Sequence, residues 1–306
     1  MQQTAAIRFI PRAQLDTKKW DSCIDDAGGF PLYAYHFYLD VMCRQWDALV
    51  LNDYEAIMPL TWHKKAGIYY LYQPFLTLQL GIIGKMVNAE IVHAFLKAVP
   101  ERFRFWEINL NKDNLFTVPD FTFNEKKSYL LSLQPSYAAI AMHYRQNVKR
   151  NIKKAVAAGC AYKEEVPADE VLRLAYPQLK KYTRLLKNDL SNFHKLYNLL
   201  MQQQKAKTIG VFHKDKLVVA CIFFFHRQRA YYILAANSAE GKKVGASHFL
   251  LDRFIQQNAG QQWILDFTGS DIPSIAFFYE CFGAQPEPFT SIRLNHLPFW
   301  IKWMKK

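Results

Sequence analysis

Apolar and polar positions change their spacing along the chain, and these changes predict the secondary structure of its first part. Extended, alternating runs lie at residues 7–10, 46–51, 55–62, 68–73 and 103–110. Helical spacing is found at residues 16–27, 33–44 and 87–99. Short polar turns such as Asn52-Asp53 separate the central extended runs, so the pattern predicts an antiparallel meander accompanied by helices.

Strands and helices alternate more regularly in the second part. Strands are predicted at residues 128–133, 162–166, 208–213, 217–226, 230–236, 263–267 and 288–294. Helices are predicted at residues 138–158, 169–187, 191–205, 245–259 and 273–281. Strands that alternate with helices after an antiparallel run are typical of an α/β fold, here a mixed sheet with helices on both faces.

The length of 306 residues exceeds one ordinary domain and predicts two. A polar stretch with prolines and lysines, residues 111–127, is the expected connection. We therefore expect an N-terminal domain at 1–127 and a C-terminal domain at 128–306. The halves share an order of elements without a close sequence repeat, which indicates tandem duplication.

Composition predicts a folded cytoplasmic protein. Apolar residues make up 51% of the chain and charged residues 21%, which is ample for buried cores and poor for disorder. The five cysteines have neither metal-ligand nor redox-pair spacing and are expected to be reduced, with no metal bound. The first residues lack the pattern of a secretory signal, and no apolar run approaches the roughly 18 residues of a membrane span.

A net charge of +13 favours an anionic partner, whether a coenzyme, a lipid head group or a nucleic acid, and the alternative is a basic surface that keeps the protein soluble. Arg145, Lys149 and Lys153 follow one another at four-residue steps in the helix predicted at 138–158 and so share one face. That face is a candidate site for the phosphates of an activated or lipid-linked molecule that accepts a transferred group, or for transfer RNA. The alternative is a solvated helix face that binds no partner.

The end of the chain, residues 297–306, mixes aromatic side chains with lysines. This composition is typical of a peripheral membrane contact. Aromatic chain ends also fold back onto their own domain, so both alternatives stay open.

Three segments of the second half carry a resemblance to a known fold. They are residues 145–155, residues 231–235 leading to Gly245-Ala246-Ser247, and residues 266–270 leading to Phe282-Gly283-Ala284. In this order they resemble the GNAT acetyltransferase fold, and within it the FemAB-type branch of two tandem GNAT-like domains. That branch includes the aminoacyltransferases that build peptidoglycan bridges. The resemblance covers the second half well and the first half by length and element order.

The resemblance implies a mixed, partly splayed sheet in which acyl-CoA enters between two diverging parallel strands. Its pyrophosphate is expected at the N-terminus of the following helix, where backbone N–H groups lack partners and the helix dipole is positive. The residues at that place are Ala235, Asn237, Gly241, Lys242, Lys243, Gly245, Ala246 and Ser247. Lys242 and Ser247 depart from the family's Gln/Arg-x-x-Gly-x-Gly/Ala pattern, and the alternative is a surface turn that caps a core helix.

The segment Tyr279-Glu280-Cys281-Phe282-Gly283 resembles the one that holds the catalytic tyrosine of many acetyltransferases of this fold. The resemblance implies that Tyr279 donates a proton to the departing thiolate, a task that suits a phenol. A lysine commonly occupies this position in the bridge-forming aminoacyltransferases, so a tyrosine favours an acyl-CoA donor. The alternative is an ordinary interior tyrosine.

The attacking amine must lose a proton, so a base is expected near the diverging strands. Asp266 is the carboxylate within the strand predicted at 263–267 and is the candidate base. Asp271, and Asn237 with Ser238, are lesser candidates. Each of these side chains can equally serve as a helix cap or a hydrogen-bond anchor.

Together these features predict an N-acyltransferase that moves an acyl group from a thioester to a small-molecule or lipid-linked amine by direct attack. One alternative is a transferase that uses aminoacyl transfer RNA to modify a cell-wall precursor. Another is a binding protein that keeps the GNAT fold and has lost the activity.

Overall fold

The computed structural model describes residues 6–183, 185–269 and 272–297. The described chain divides into two compact units. Unit 2 is Lys127–Glu287, and unit 1 is the remainder.

The strands, in chain order, are β1 (Ile7–Pro11), β2 (Gln45–Leu51), β3 (Ala56–Lys65), β4 (Ile68–Tyr72), β5 (Ile83–Gly84), β6 (Phe103–Asn109), β7 (Phe123–Ser132), β8 (Ala161–Glu164), β9 (Ala206–His213), β10 (Lys216–His226), β11 (Arg229–Asn237), β12 (Ile264–Asp266) and β13 (Gln285–Asn295). The α-helices are α1 (Thr17–Asp26), α2 (His36–Met42), α3 (Ala89–Ala98), α4 (Tyr137–Met142), α5 (Gln146–Ala157), α6 (Ala168–Tyr182), α7 (Asp189–Gln202), α8 (Ala239–Val244), α9 (Ala246–Asn258) and α10 (Pro273–Glu280).

Unit 1 contains a mixed sheet in the order β1-β2-β3-β4-β6-β13, with the short β5 on β3. Strands β2, β3 and β4 form the antiparallel meander that the hydrophobic pattern predicts. The next pair, β4 and β6, is parallel. Helix α1 begins as expected at Asp16, whose carboxylate accepts hydrogen bonds from the N–H groups of Lys18 and Lys19.

The parallel pair of unit 1 stays connected past its last register pair, Tyr72 with Glu107. The amide oxygen of Gln73 accepts a 2.9 Å hydrogen bond from the Asn109 N–H. The Asn109 side chain in turn donates to the Leu78 carbonyl at 2.8 Å. The chain's own loop after β4 therefore occupies the space beside these strands.

The predicted second domain, 128–306, extends too far: most of β13, from Pro288 onwards, belongs to unit 1. From Ser291 to Asn295, β13 pairs antiparallel with β6 of unit 1. The Leu110 N–H also donates to the Thr290 carbonyl at 2.8 Å. Strand pairing joins segments that lie far apart in sequence, so the local pattern predicts the strand but not its partner.

Within unit 2 the strand order is β7-β12-β11-β10-β9-β8. Its neighbouring strands are antiparallel except for β11 and β12, which are parallel. Helices pack on both faces because successive strand side chains point to opposite sides. Phe223 stacks on Phe254 of α9 at 3.9 Å between ring centroids, whereas Phe224 lies 5.6 Å from Phe193 of α7.

The basic helix predicted at 138–158 is two helices, α4 and α5. The helical conformation is interrupted between them. The Tyr144 side chain is buried there, and the Arg145 N–H donates to the Cys281 carbonyl at 2.9 Å. Helical spacing continues across this break, so the sequence pattern does not reveal it.

The helix predicted at 245–259 is preceded by a short helix, α8, that the pattern missed. The Ser238 hydroxyl caps α8 by accepting from the Gly241 N–H at 3.0 Å. Gly245 then ends α8 in the left-handed region, with φ of +79°, and is also the N-cap of α9. A Cβ at this position would lie 2.5 Å from the Asn151 carbonyl oxygen of α5. Backbone conformation and close packing thus both require glycine here.

Each helix in the described parts of the chain is too short or too polar to cross a bilayer. The predicted membrane contact falls mostly on residues 298–306, which lie outside the described residues.

We expect Gly245→Ala to lower the free energy of unfolding more than Gly159→Ala. Both glycines have positive φ, so each substitution carries the left-handed cost of about 1 to 2 kcal/mol. A Cβ at Gly159 meets open space, whereas one at Gly245 meets the backbone of Asn151 and adds an overpacking cost of roughly 1 to 3 kcal/mol. Urea unfolding of the two variants measures the difference. Equal losses of unfolding free energy would show that the Asn151 backbone moves aside at no cost.

Candidate functional site

The parallel strands β11 and β12 separate shortly after they meet. They pair at three positions, from Arg229 with Ile264 to Tyr231 with Asp266. Strand β11 continues to Asn237, whereas the chain after β12 turns to β7, where the Phe267 N–H donates to the Tyr129 carbonyl at 2.9 Å. One edge of β11 therefore has none of the described strands beside it beyond Tyr232, and we call the opening there the slot.

A bulge in β11 lies at the point of divergence. Against β10, Ile222 pairs with Leu234 and Phe223 with Tyr232, which leaves Ile233 without a partner residue in β10. Bulges bend the strand that carries them and change the direction of its side chains. Ile233 lines the slot, so the bulge lies next to the opening.

The slot is a cavity of about 710 Å³ within unit 2. That volume lies in the range of pockets that hold small organic ligands. Its walls come from the open end of β11, part of α8, the start of α9, one side of α10, the last turns of α6 and Thr268 after β12.

Most residues predicted to bind acyl-CoA line this cavity. They are Ala235, Asn237, Gly241, Lys242, Gly245 and Ser247. Two predicted residues do not line it: Lys243 is exposed elsewhere on α8, and Ala246 is buried in the core beneath α9.

Helix α9 begins at the slot without a side-chain cap on its first turn. The first N–H groups of a helix have no partner within the helix and carry its positive dipole end. The Asn237 amide donates to the Ser247 hydroxyl at 2.6 Å, while the buried Asn237 Oδ1 has no hydrogen-bond partner within the described chain. The start of α9 at this end of the slot therefore offers backbone donors to an anion.

Tyr279 lines the slot from α10 and is only 8% exposed. Its ring stacks on Phe267 at 4.4 Å between centroids and meets Tyr232 edge-on at 6.5 Å. Burial, followed by the nearby charge of Asp266, raises the pKa of Tyr279 well above its usual value. The phenol is thus held in place by aromatic rings and stays protonated at neutral pH.

Asp266 does not line the slot, in contrast to the role predicted for it. Its carboxylate is 2% exposed and accepts hydrogen bonds from Arg229 at 2.9 Å, from the Ser128 hydroxyl at 3.0 Å and from the Thr268 N–H at 2.8 Å. A buried carboxylate held by a guanidinium and two further donors is a structural anchor. We correct its assignment from candidate base to a residue that holds the end of β12. Asp271, a lesser candidate, lies outside the described residues.

His248 lines the slot, and the sequence analysis gave it no role. It lies on the first turn of α9, its ring 4.8 Å edge-on from Phe278 and 5.9 Å from Phe282, with Nε2 3.4 Å from the Asn151 amide nitrogen. Burial lowers the pKa of His248 to about 4. The imidazole is therefore neutral at physiological pH. Its place one residue after the predicted Ser247 was the signal that could have identified it.

Helix α6 contributes Pro177, Gln178, Lys181 and Tyr182 to the slot. The Gln178 amide donates to the Asn237 carbonyl at 2.6 Å and ties the helix to the open end of β11. These two residues are 59 positions apart in sequence, so no local pattern associates α6 with the slot.

The predicted acceptor-binding residues Arg145, Lys149 and Lys153 are exposed and do not line the slot. The Arg145 guanidinium lies 5.0 Å from the Phe277 ring centroid and 3.7 Å from the Glu280 carboxylate. Lys149 and Lys153 have no carboxylate within ion-pair distance in the described parts of the chain. Their role in acceptor binding stays a prediction.

Comparison with known proteins shows the fold. No protein-family model matches the chain, and no curated protein matches its sequence. The structure is similar to that of FemX, with a TM-score of 0.62 and 10% identity over 97% of this chain and 99% of that chain. It is also similar to a tandem GNAT protein from the clavulanic acid biosynthesis pathway, with a TM-score of 0.56 and 12% identity over 96% of this chain and 99% of that chain.

A third similar structure is L-PGS from Bacillus licheniformis, with a TM-score of 0.56 and 12% identity over 94% of this chain and 95% of that chain. Likeness at such low identity establishes architecture. The tandem GNAT-like fold that the sequence predicts is therefore confirmed.

We expect His248 to make the stability of the protein depend on pH between about 4 and 6.5. An unfolded histidine takes up a proton below a pKa of about 6.5, whereas the folded site resists protonation down to a pKa of about 4. The free energy of unfolding should therefore be largest above this window and fall by up to roughly 3 kcal/mol as the pH drops through it.

Urea unfolding across this range should show a shallower pH dependence for His248→Gln than for the wild type. His143→Gln, which changes an exposed histidine outside the slot lining, is the matched control. Identical slopes for the wild type and His248→Gln would contradict the assignment of a neutral imidazole.

Proposed function

We propose that this protein is an N-acyltransferase that moves an acyl group from an acyl-CoA thioester to an amine by direct attack. The observation that carries the proposal is the slot, where β12 leaves β11 after three paired positions and Tyr279 lines the same cavity as the start of α9. The acceptor is a small-molecule or lipid-linked amine.

The residues of the slot fit the chemistry of acyl-CoA. The uncapped first turn of α9 and the Lys242 ammonium suit the pyrophosphate. The free edge of β11 offers backbone groups to the amides of the pantetheine arm, as an open strand edge does to a peptide. Acyl-CoA supplies the activated carbonyl carbon when it is bound.

Tyr279 is the proposed general acid. The amine nitrogen forms a bond to the acyl carbon, the carbon–sulfur bond breaks, and the sulfur takes up negative charge and then a proton. A phenol whose pKa is raised by burial keeps its proton across the physiological range and can donate it to sulfur as that charge develops. The rings of Phe267 and Tyr232 pack against the phenol ring and hold it in the slot wall.

The slot supplies no carboxylate base, since none of its described lining residues is Asp or Glu. His248, with a pKa lowered to about 4, is too weak a base to activate an ammonium. We therefore infer that the amine attacks in its neutral form, with its surplus proton passed to water near the hydroxyls of Thr268 and Ser274.

We expect Tyr279→Phe to lower kcat by roughly 10² to 10⁴-fold, the range for loss of a general acid, with little change in acyl-CoA affinity. The phenylalanine keeps the ring packing and removes only the hydroxyl. Mass spectrometry of amine acceptors incubated with acetyl-CoA measures turnover, and calorimetry with coenzyme A measures binding.

Tyr129→Phe is the matched control, because that buried ring lies 6.0 Å from Tyr279 but is not part of the slot lining. Unchanged turnover in Tyr279→Phe would remove the hydroxyl from the mechanism. Coenzyme A binding without any turnover in the wild type would instead identify a binding protein that keeps the GNAT fold.

The second candidate function is transfer from aminoacyl transfer RNA to a cell-wall precursor. The observation that favours it is the α5 surface, where Lys149, Arg150, Lys153 and Lys154 are all exposed and none forms an ion pair within the described chain. A row of uncompensated cations suits the phosphate backbone of a nucleic acid.

This alternative predicts that transfer RNA is retained at low salt and released steeply as the ionic strength rises. Replacing Lys149 and Lys153 by Gln should weaken retention and reduce the salt dependence, by about one unit of slope per lost phosphate contact. Filter binding over a salt series measures both. No retention of transfer RNA by the wild type at low salt would exclude this function.

A further inference from the structure

Helix α6 closes one side of the slot, and its role is separate from that of the α8–α9 turn. Its buried residues Val171 and Ala175 lie outside the core beneath α9, and it packs on β10 and β11. The Gln178 hydrogen bond to the Asn237 carbonyl fixes where its last turn begins. Lys181 and Tyr182, which follow on that turn, both line the cavity.

The Lys181 ammonium is available to a ligand. It has no carboxylate within 4.0 Å in the described parts of the chain, and it lies 5.2 Å from the centroid of the Tyr182 ring. Its neighbour Lys180 is equally exposed but is not part of the slot lining. The two lysines therefore carry the same charge and are both exposed, but only Lys181 lines the slot.

The charges of the slot lining all have one sign. Lys181 on α6 and Lys242 on α8 supply two cations, and the described lining contains no Asp or Glu. A concave site with uncompensated positive charge raises the local concentration of anions and selects them over neutral ligands. A polar chain from Gln178 through Asn237 to Ser247 connects the α6 wall to the first turn of α9.

We propose that Lys181 forms an anion-recognition site on the α6 wall of the slot, which binds a phosphate or carboxylate group of a substrate. Tyr182 flanks the site, and Gln178 acts as a positioning residue that holds α6 against β11. The site deepens the proposed acyl transfer and rests on it for the identity of the substrate. The anion belongs either to the phosphates of the acyl donor or to an acidic acceptor.

The first arm of the test addresses the donor. Calorimetry compares coenzyme A with pantetheine, which lacks the phosphates, in the wild type, Lys181→Gln and the matched control Lys180→Gln. If Lys181 binds a donor phosphate, Lys181→Gln should lose on the order of ten-fold in affinity for coenzyme A and none for pantetheine, and Lys180→Gln should match the wild type.

The second arm addresses the acceptor. Steady-state rates are measured with matched amines that differ only in an anionic group, such as an amino acid and its amide. If Lys181 binds an acidic acceptor, Lys181→Gln should lower kcat/KM for the acid by about ten-fold relative to the amide, and Lys181→Glu should reverse the preference. Affinity for coenzyme A should then stay at the wild-type value.

The inference falls if Lys181→Gln and Lys180→Gln behave alike in both arms. Its failure is distinct from failure of the proposed function, which would appear as a wild type that neither binds coenzyme A nor transfers an acyl group. In that case inorganic pyrophosphate is the probe. Weaker pyrophosphate binding in Lys181→Gln than in Lys180→Gln would support the anion site even though the acyltransferase proposal had failed. Equal binding by the two variants would contradict the anion site as well.

Discussion

The short parallel pairing of β11 and β12 is the constraint on which the site depends. A strand that loses its neighbour leaves backbone donors and acceptors unpaired, and a buried unpaired group costs about 1 to 3 kcal/mol unless a ligand or water satisfies it. Specific contacts keep the chain after β12 away from β11: the Phe267 N–H is hydrogen-bonded to β7, and Asp266 is paired with Arg229. The opening is therefore built into the folded core.

Unit 1 also contains a pair of parallel strands, but the space beside them is filled by the chain itself. Its parallel strands β4 and β6 are followed by side chains of Gln73 and Asn109 that bond to nearby backbone groups. The loop after β4 thus satisfies locally the kind of backbone edge that β11 leaves open at the slot. The two units share an architecture, and the difference in how these edges are satisfied makes unit 2 the better candidate for chemistry.

Burial and charge determine which side chains stabilise the fold and which face the slot. Asp266, the carboxylate at the end of β12, is paired with Arg229 and stabilises the fold. What remains at the surface of the cavity is a protonated phenol, Tyr279, a neutral imidazole, His248, and the ammonium groups of Lys181 and Lys242. Such a set can donate hydrogen bonds and attract anions, which suits an acyl donor with phosphates and a sulfur leaving group.

The sequence by itself determined the order of strands and helices, the tandem GNAT-like fold and most of the turn around Gly245, because periodicity, capping residues and glycines are local signals. It also singled out Tyr279. Only the tertiary structure decided that Asp266 is an anchor, that β13 joins unit 1, and that α6 brings Lys181 to the slot. Each of these depends on contacts between segments far apart in the chain, and local spacing carries no information about which distant partner satisfies a buried charge or an open strand edge.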